Sequence, residues 1–396
     1  YDVRTIHINS DNKETVTGDN FIHISGNHTE TIKTNKTLVV TGTTHESLYD
    51  IRTIHINADN KETVNGDNYI YISGNHTETI KTNKTLVVTG TTQESLYDIR
   101  TIHINADNKE TVTGDNYIYI SGNHNETIKT NKTLVITGTT QESLYDIRTI
   151  HINADNKETV TGDNYIHISG NHTETISNIA TLVVSGETRE SLYDVRTIHI
   201  NANNNETVTG DNFIHISGSH TETIKTNKTL VITGETRESL YDNRTIHINA
   251  TNSETVTGNN FIHISGNHTE TISNVATLVV SGETRESLYD VRTIHINANN
   301  NETVIGNNLI HISGNHTETI KTNKTLVITG TTHESLYDNR TIYINANNSE
   351  TVTGDNFIYI SGNHTETIKT NKTLVVTGTT HESLYGNRTI HINGNN

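Results

Sequence analysis

Branched apolar residues recur every eight positions: Ile8, Val16, Ile24, Ile32, Val40, Leu48 and Ile56 begin a column that does not break before the C-terminus. Two places beyond each stands a small or turn-prone residue, as at Gly18, Gly26, Thr34, Gly42, Asp50 and Ala58. A helix of 3.6 residues per turn would smear this period around its surface, whereas strand alternation accommodates it. In Asn20 to Ser25, Ile22 and Ile24 share one strand face, and the turn-competent pair Gly26-Asn27 follows. Each octad therefore reads as a short strand ending in a corner. Gly18, Gly26 and Gly42 are the corner residues, expected there for their tolerance of positive φ, with a neighbouring Asn or Asp bonding its own backbone. The predicted class is all-β, a β-helix built from eight-residue repeats.

The place before the strand's penultimate residue alternates between glutamate and an apolar residue: Glu14, Ile22, Glu30, Leu38, Glu46, Ile54, Glu62. Six octads make a longer unit that begins at a tyrosine and occupies 1–48, 49–96, 97–144, 145–192, 193–240, 241–288, 289–336 and 337–384, with a partial copy at 385–396. No copy carries an insertion or deletion. Such repetition marks a stacked architecture in which each unit buries its apolar face on its neighbours, so 1–396 is expected to be one continuous repeat element. Bare carboxylates are costly to bury. The glutamates are therefore expected at strand edges, facing water or pairing with residues such as Lys36 and Arg52 of neighbouring layers.

Composition narrows the picture. Hydrophobic residues make up 31% of the chain and mean hydropathy is -0.57, which implies a thin core. The absence of proline leaves hydrogen-bonded ladders uninterrupted. The formal charge of -17 is spread without any basic block, which argues against nucleic-acid binding. No apolar run is long enough to suggest a membrane span. There is no cysteine, and with no methionine Tyr1 is not a translation start, so the chain reads as an interior or processed segment. Gly386, Gly394, Asn395 and Asn396 suggest a softening last layer.

The octads, as in Ile24-Ser25-Gly26-Asn27-His28-Thr29-Glu30-Thr31-Ile32, resemble the stalk repeats of tailed-phage baseplate central spike proteins and of the valine-glycine repeat (VgrG) spikes of type VI secretion. The resemblance covers the whole chain. It implies an intertwined homotrimeric triple-stranded β-helix, one octad per side, with Val16, Ile24, Ile32 and Val40 on the axis and Gly18, Gly26 and Gly42 at corners. Three chains would supply 24 residues per layer and give a rod of roughly 240 Å at one strand spacing per octad. The alternative is a single-chain β-solenoid. It would reach about 80 Å at 24 residues per coil, or about 120 Å at 16.

Candidate chemistry is sparse. His7, His23 and His55 begin octads beside the apolar column, and in a trimer such imidazoles could meet on the axis and hold an ion. Tyr71, Tyr119 and Tyr343 replace histidine at equivalent places, which favours an aromatic ladder instead. Identical layers offer no single pocket, so neither catalysis nor a cofactor is expected. Threonine rows raise ice binding, against which the threonine columns are expected to be interrupted by Lys, His and Glu. Phe21, which varies to Tyr69 and Leu309, reads as a packing position. Glu187 with Arg189, Glu235 with Arg237 and Glu283 with Arg285 arise together and should pair facing water. In copies four and six, Lys36 has become Ala180 and Ala276.

The expected function is a non-enzymatic structural shaft, the spike or stalk of a phage-like or type VI secretion machine. Its partners would be other copies of itself and the hub and tip proteins of that machine, with possible puncture of or contact with a membrane or cell surface. The alternative is an extracellular filament or adhesin shaft binding surfaces or sugars through its repeated outer faces. Either would be extracellular, secreted or part of a virion or injection machine.

Overall fold

The computed structural model of the chain describes residues 3–146 and 148–393. Gly394, Asn395 and Asn396, named above for the last layer, lie outside them. Every described element is a five-residue strand, and three-residue corners separate successive strands. Residues up to Ile200 form one compact unit and residues from Asn201 a second.

In the first unit, Arg4–Ile8 pairs in parallel with His28–Ile32, which pairs with Arg52–Ile56. Asn12–Val16, Lys36–Val40 and Asn60–Val64 begin a second sheet, and Asn20–Ile24, Thr44–Leu48 and Asn68–Ile72 a third. Each strand thus pairs in register with the strand three further on, 24 residues later. The second unit follows the same rule, as where Asn204–Val208 pairs with Lys228–Ile232 and Asn212–Ile216 with Thr236–Leu240. Its 24 strands make eight three-sided turns, a climb of roughly 40 Å at one strand spacing per turn.

One chain closes each turn, so the winding is that of the single-chain β-solenoid and not of the intertwined triple-stranded helix. Three chains would be needed only if each contributed one octad to a layer. The chain instead spends three consecutive octads on each layer, and the 24 residues needed to enclose an axis come from a single strand path.

Side chains at the first, third and fifth places of a strand point inward, those at the second and fourth outward, as the alternating burial of His28–Ile32 and Arg52–Ile56 shows. The fifth place is the apolar column. Ile24, Ile32, Val40, Leu48 and Ile56 are buried, while Ile8 and Val16 in the first turn are half-buried. Each buried side chain contributes roughly 1.5–3 kcal/mol.

No described glycine has positive φ, so conformational freedom is not why glycine occupies the corners. Close approach is the reason. The three corners of a turn form separate columns. One is glycine at every level, and there a Cβ on Gly66 would lie 2.7 Å from the carbonyl carbon of Gly42. In another, glycine alternates with a residue that has a side chain, as in Gly26, Asp50 and Gly74. The third carries Ser10, Thr34 and Ala58 and needs no glycine. The corner Asn and Asp residues mostly serve the next turn: Asp11 Oδ1 accepts from the Asn35 amide at 3.1 Å, and Asn35 Oδ1 from the Asp59 amide at 3.2 Å.

Candidate functional site

The glutamates expected at strand edges lie inside. Glu30, Glu46, Glu78 and Glu94 are all buried, because they share strand parity with the apolar column. Their partners sit at the first place of the strands. In the first unit, Lys84 Nζ lies 3.0 Å from Glu78 and 3.3 Å from Glu110 of the next turn, as Lys36 does at 2.9 Å from Glu30 and 3.2 Å from Glu62. Asn108 Nδ2 then donates to Glu110 and Glu126, which passes the chain of contacts to Lys132. The expected pairing with Lys36 and Arg52 is present, but in the core.

A second line runs beside it. Arg52 Nε donates to Glu46 at 2.9 Å and its Nη1 lies 2.9 Å from His76 Nε2, while His76 Nδ1 faces Glu94 at 3.3 Å and Glu94 pairs with Arg100. Because guanidinium only donates, His76 Nε2 must accept, and the proton sits on Nδ1 toward Glu94. The imidazole is therefore neutral. Burial pushes its pKa down, and Arg52 adds to this against the pull of Glu94. Burial works to raise the Glu78 carboxyl, but Lys84 and Arg52 outweigh it and hold the group at about 2.

The histidines singled out from the sequence are elsewhere. His7, His23 and His55 occupy fourth places and face outward, His7 and His55 in one sheet and His23 in another. They do not converge. Among the described residues no group of three or more His, Cys, Asp or Glu is placed to hold a metal ion. The buried series His28, His76 and His124 was the one missed.

Outside, the three sheets differ. The first carries an unbroken threonine column in its early turns, Thr5, Thr29, Thr53, Thr77 and Thr101, contrary to the expected interruption. The third is aromatic. Phe21 stacks on His45 at 5.1 Å, and its equivalents Tyr69 and Leu309 in later turns are half-buried. Tyr49, Tyr71, Tyr97, Tyr119 and Tyr145 form a continuous ring ladder with centroids 5.5–6.3 Å apart. The corner tyrosines Tyr49, Tyr97 and Tyr145 are more than half exposed and recur every two turns, roughly 10 Å apart. Beside Tyr49 lies a groove of about 420 Å³ lined by His45, Tyr49, Tyr69, Tyr71, Gln93 and Ser95. In the second unit Arg237 lies over both Phe213 and Phe261, at 5.8 and 5.6 Å, while its Nη2 pairs with Glu235 at 2.9 Å.

The fold and its interior together define a class, a single-chain parallel β-solenoid with an ion-paired core and one aromatic outer face. No protein-family model, curated protein or solved structure matches the chain. Among the described residues no helix is long and apolar enough to cross a membrane.

Proposed function

We propose that the chain is a non-enzymatic, extracellular scaffold whose aromatic outer face binds an extended polysaccharide or sugar-bearing surface. The carrying observation is the row of exposed tyrosines at a two-turn spacing, with a groove bearing His45, Gln93 and Ser95 beside Tyr49. Exposed aromatic rings stack on the apolar faces of sugars, and amide and hydroxyl groups beside them complete hydrogen bonds to sugar hydroxyls. A repeat near 10 Å is close to that of two residues in an extended β-linked glycan, so successive tyrosines meet equivalent faces of one polymer.

The test is co-sedimentation with insoluble cellulose, chitin and a starch control. Binding to an extended glycan that drops at least tenfold in Tyr49→Ala/Tyr97→Ala/Tyr145→Ala supports the reading. No binding, or binding indifferent to the three substitutions, sinks it.

A spike or stalk of an injection machine is the second reading. It drew on three-chain winding, and with each turn closed by one chain its support is the unbroken Val/Ile column, which would resist bending. Native mass by light scattering distinguishes the two, since the spike requires a trimer. The threonine column also supports an ice-binding face, for which thermal hysteresis is the measurement.

A further inference from the structure

The lysine missing from copy six leaves a vacancy in the charged core. In ordinary copies of the second unit a lysine ammonium bridges carboxylates: Lys228 Nζ lies 2.9 Å from Glu222 and 3.6 Å from Glu254, and Lys324 Nζ 2.8 Å from Glu318. The equivalent residue between them is Ala276. Its would-be partners are Glu270, six residues before, and Glu302, twenty-six after. Among the described residues neither carboxylate has a cation within ion-pair distance; their bonds come from Asn252 Nδ2 and Asn300 Nδ2.

The space is there as well as the charge. A cavity of about 100 Å³ is lined by Glu254, Glu270, Ala276, Thr284 and Glu302, with Arg244 and Arg292 also in its wall, against about 60 and 50 Å³ for the corresponding cavities around Lys84 and Lys36, which hold their lysine beside the equivalent arginines. Thr284 Oγ1 and Asn252 Oδ1, on side chains more than nine-tenths buried, have no hydrogen-bond partner, as is true of their equivalents Thr92 Oγ1 and Asn60 Oδ1 in a copy that keeps its lysine, so they are available at the site without being peculiar to it. Both are acceptors. Burial pushes the Glu302 carboxyl up, with Lys324 opposing and Glu318 adding, whereas its equivalent Glu62 is held down beside Lys36.

We infer that the Ala276 cavity is a binding site for a small primary ammonium ion, the free counterpart of the lysine side chain that fills this place in other copies. An ammonium group offers three donors and one positive charge, which suits two carboxylates, a hydroxyl and an amide oxygen. A short alkyl tail would occupy the room left by the lysine stem, against Leu278 and Ile294. Dispersed carboxylates favour such a hydrogen-bonding cation over a metal ion, which needs three or more ligands converging within coordination distance.

The experiment is thermal unfolding of the full chain, refolded in ethylammonium chloride or in sodium, potassium or tetramethylammonium chloride at matched ionic strength. Ala180→Lys is introduced throughout, so that the alanine of copy four does not contribute. Ethylammonium should raise Tm in proportion to the logarithm of its concentration, as a ligand specific for the folded state does. Tetramethylammonium, with no N–H, should not. Adding Ala276→Lys should raise Tm by itself and abolish the ethylammonium response, and Glu270→Gln should weaken that response at least tenfold in concentration. The inference is overturned by an ethylammonium effect no larger than that of sodium, by an equal effect of potassium, or by a response that survives Ala276→Lys. The same measurement on the unmutated chain, where both alanines are present, must show the ethylammonium effect whether or not the variants fold.

Discussion

Removing the Lys84 ammonium tests the charged core directly. Lys84→Ala leaves Glu78, 3.0 Å away, and Glu110, 3.3 Å away, without their shared cation. Breaking a buried pair by deleting one partner costs roughly 3–5 kcal/mol. Glu78 is held at about 2 against its ordinary 4.5 by Lys84 and Arg52 acting together, a shift on the order of 3 kcal/mol at ~1.4 kcal/mol per pKa unit, of which Lys84 supplies the largest part. The stranded carboxyl can also escape by taking up a proton. At pH 7 that costs about 3.4 kcal/mol and at pH 5 only about 0.7, so the loss should shrink on mild acidification. Lys84→Met/Glu78→Gln removes the Lys84–Glu78 pair while keeping the shape, leaves only Glu110 without its cation, and should recover about 2–3 kcal/mol of the summed single losses. Stability in a stacked repeat is local, so the assay is amide hydrogen exchange followed peptide by peptide. Protection should fall between Glu78 and Glu110 and stay unchanged in the second unit. A loss under ~1 kcal/mol in Lys84→Ala, or additive single and double variants, would refute the view that these pairs hold adjacent turns together.

Acid should weaken the fold in two stages. His76, His124 and His316 have pKa values lowered by burial, so the unfolded chain takes up protons first and stability falls as pH drops below about 6.5. The glutamates held down to about 2, among them Glu78 and Glu126, add a second loss as pH falls from 4.5 toward that value. Urea denaturation between pH 7.5 and 5 checks the first stage, and His76→Gln/His124→Gln should flatten it; stability that rises on acidification would contradict the tautomer assignment. Gly66→Ala should destabilise by roughly 1–3 kcal/mol in the same assay through overlap with the Gly42 backbone. Deleting 73–120 removes two whole turns and should leave a folded chain, whereas deleting 73–96 removes one, sets Glu62 directly over Glu110, and should lower Tm markedly by circular dichroism.

The octad, the strand-corner alternation and the apolar column were all legible, because each is a local pattern repeated dozens of times. The layer was not. Nothing local tells whether a turn takes one octad from each of three chains or three octads from one. The evidence lay in the corners: only every third corner is glycine without exception, and Gly18, Gly42 and Gly66 stand 24 residues apart. The charged core was legible in part. Glu30 stands two residues before Ile32 as Ile22 stands before Ile24, so strand parity placed it inside. The cost of burying a bare carboxylate was set against parity, although Lys36 and Arg52, at the inward first place, removed the need for it to be bare. The same parity puts His28 inside and His23 outside, a distinction that residue type alone conceals.

Burial of these charges also explains why the chain repeats over two turns and not one. In each column of third-place residues, glutamate stacks on an apolar neighbour: Glu78 lies between Ile54 and Ile102, and Glu62 between Leu38 and Leu86. Identical turns would stack carboxylate on carboxylate at about 4.8 Å in a buried column, a like-charge contact that neighbouring lysines could not serve from both sides. Alternation doubles that distance and inserts a hydrocarbon layer. It also lets one lysine reach a glutamate of its own turn and another of the next, as Lys84 does, so that adjacent turns are bound to each other by charge as well as by the backbone ladder. The corner tyrosines inherit the same period, since Tyr49 and Tyr97 belong to equivalent turns. The two-turn spacing of the outer aromatic row thus follows the period at which the interior accommodates three glutamates and, outside copies four and six, two permanent cations.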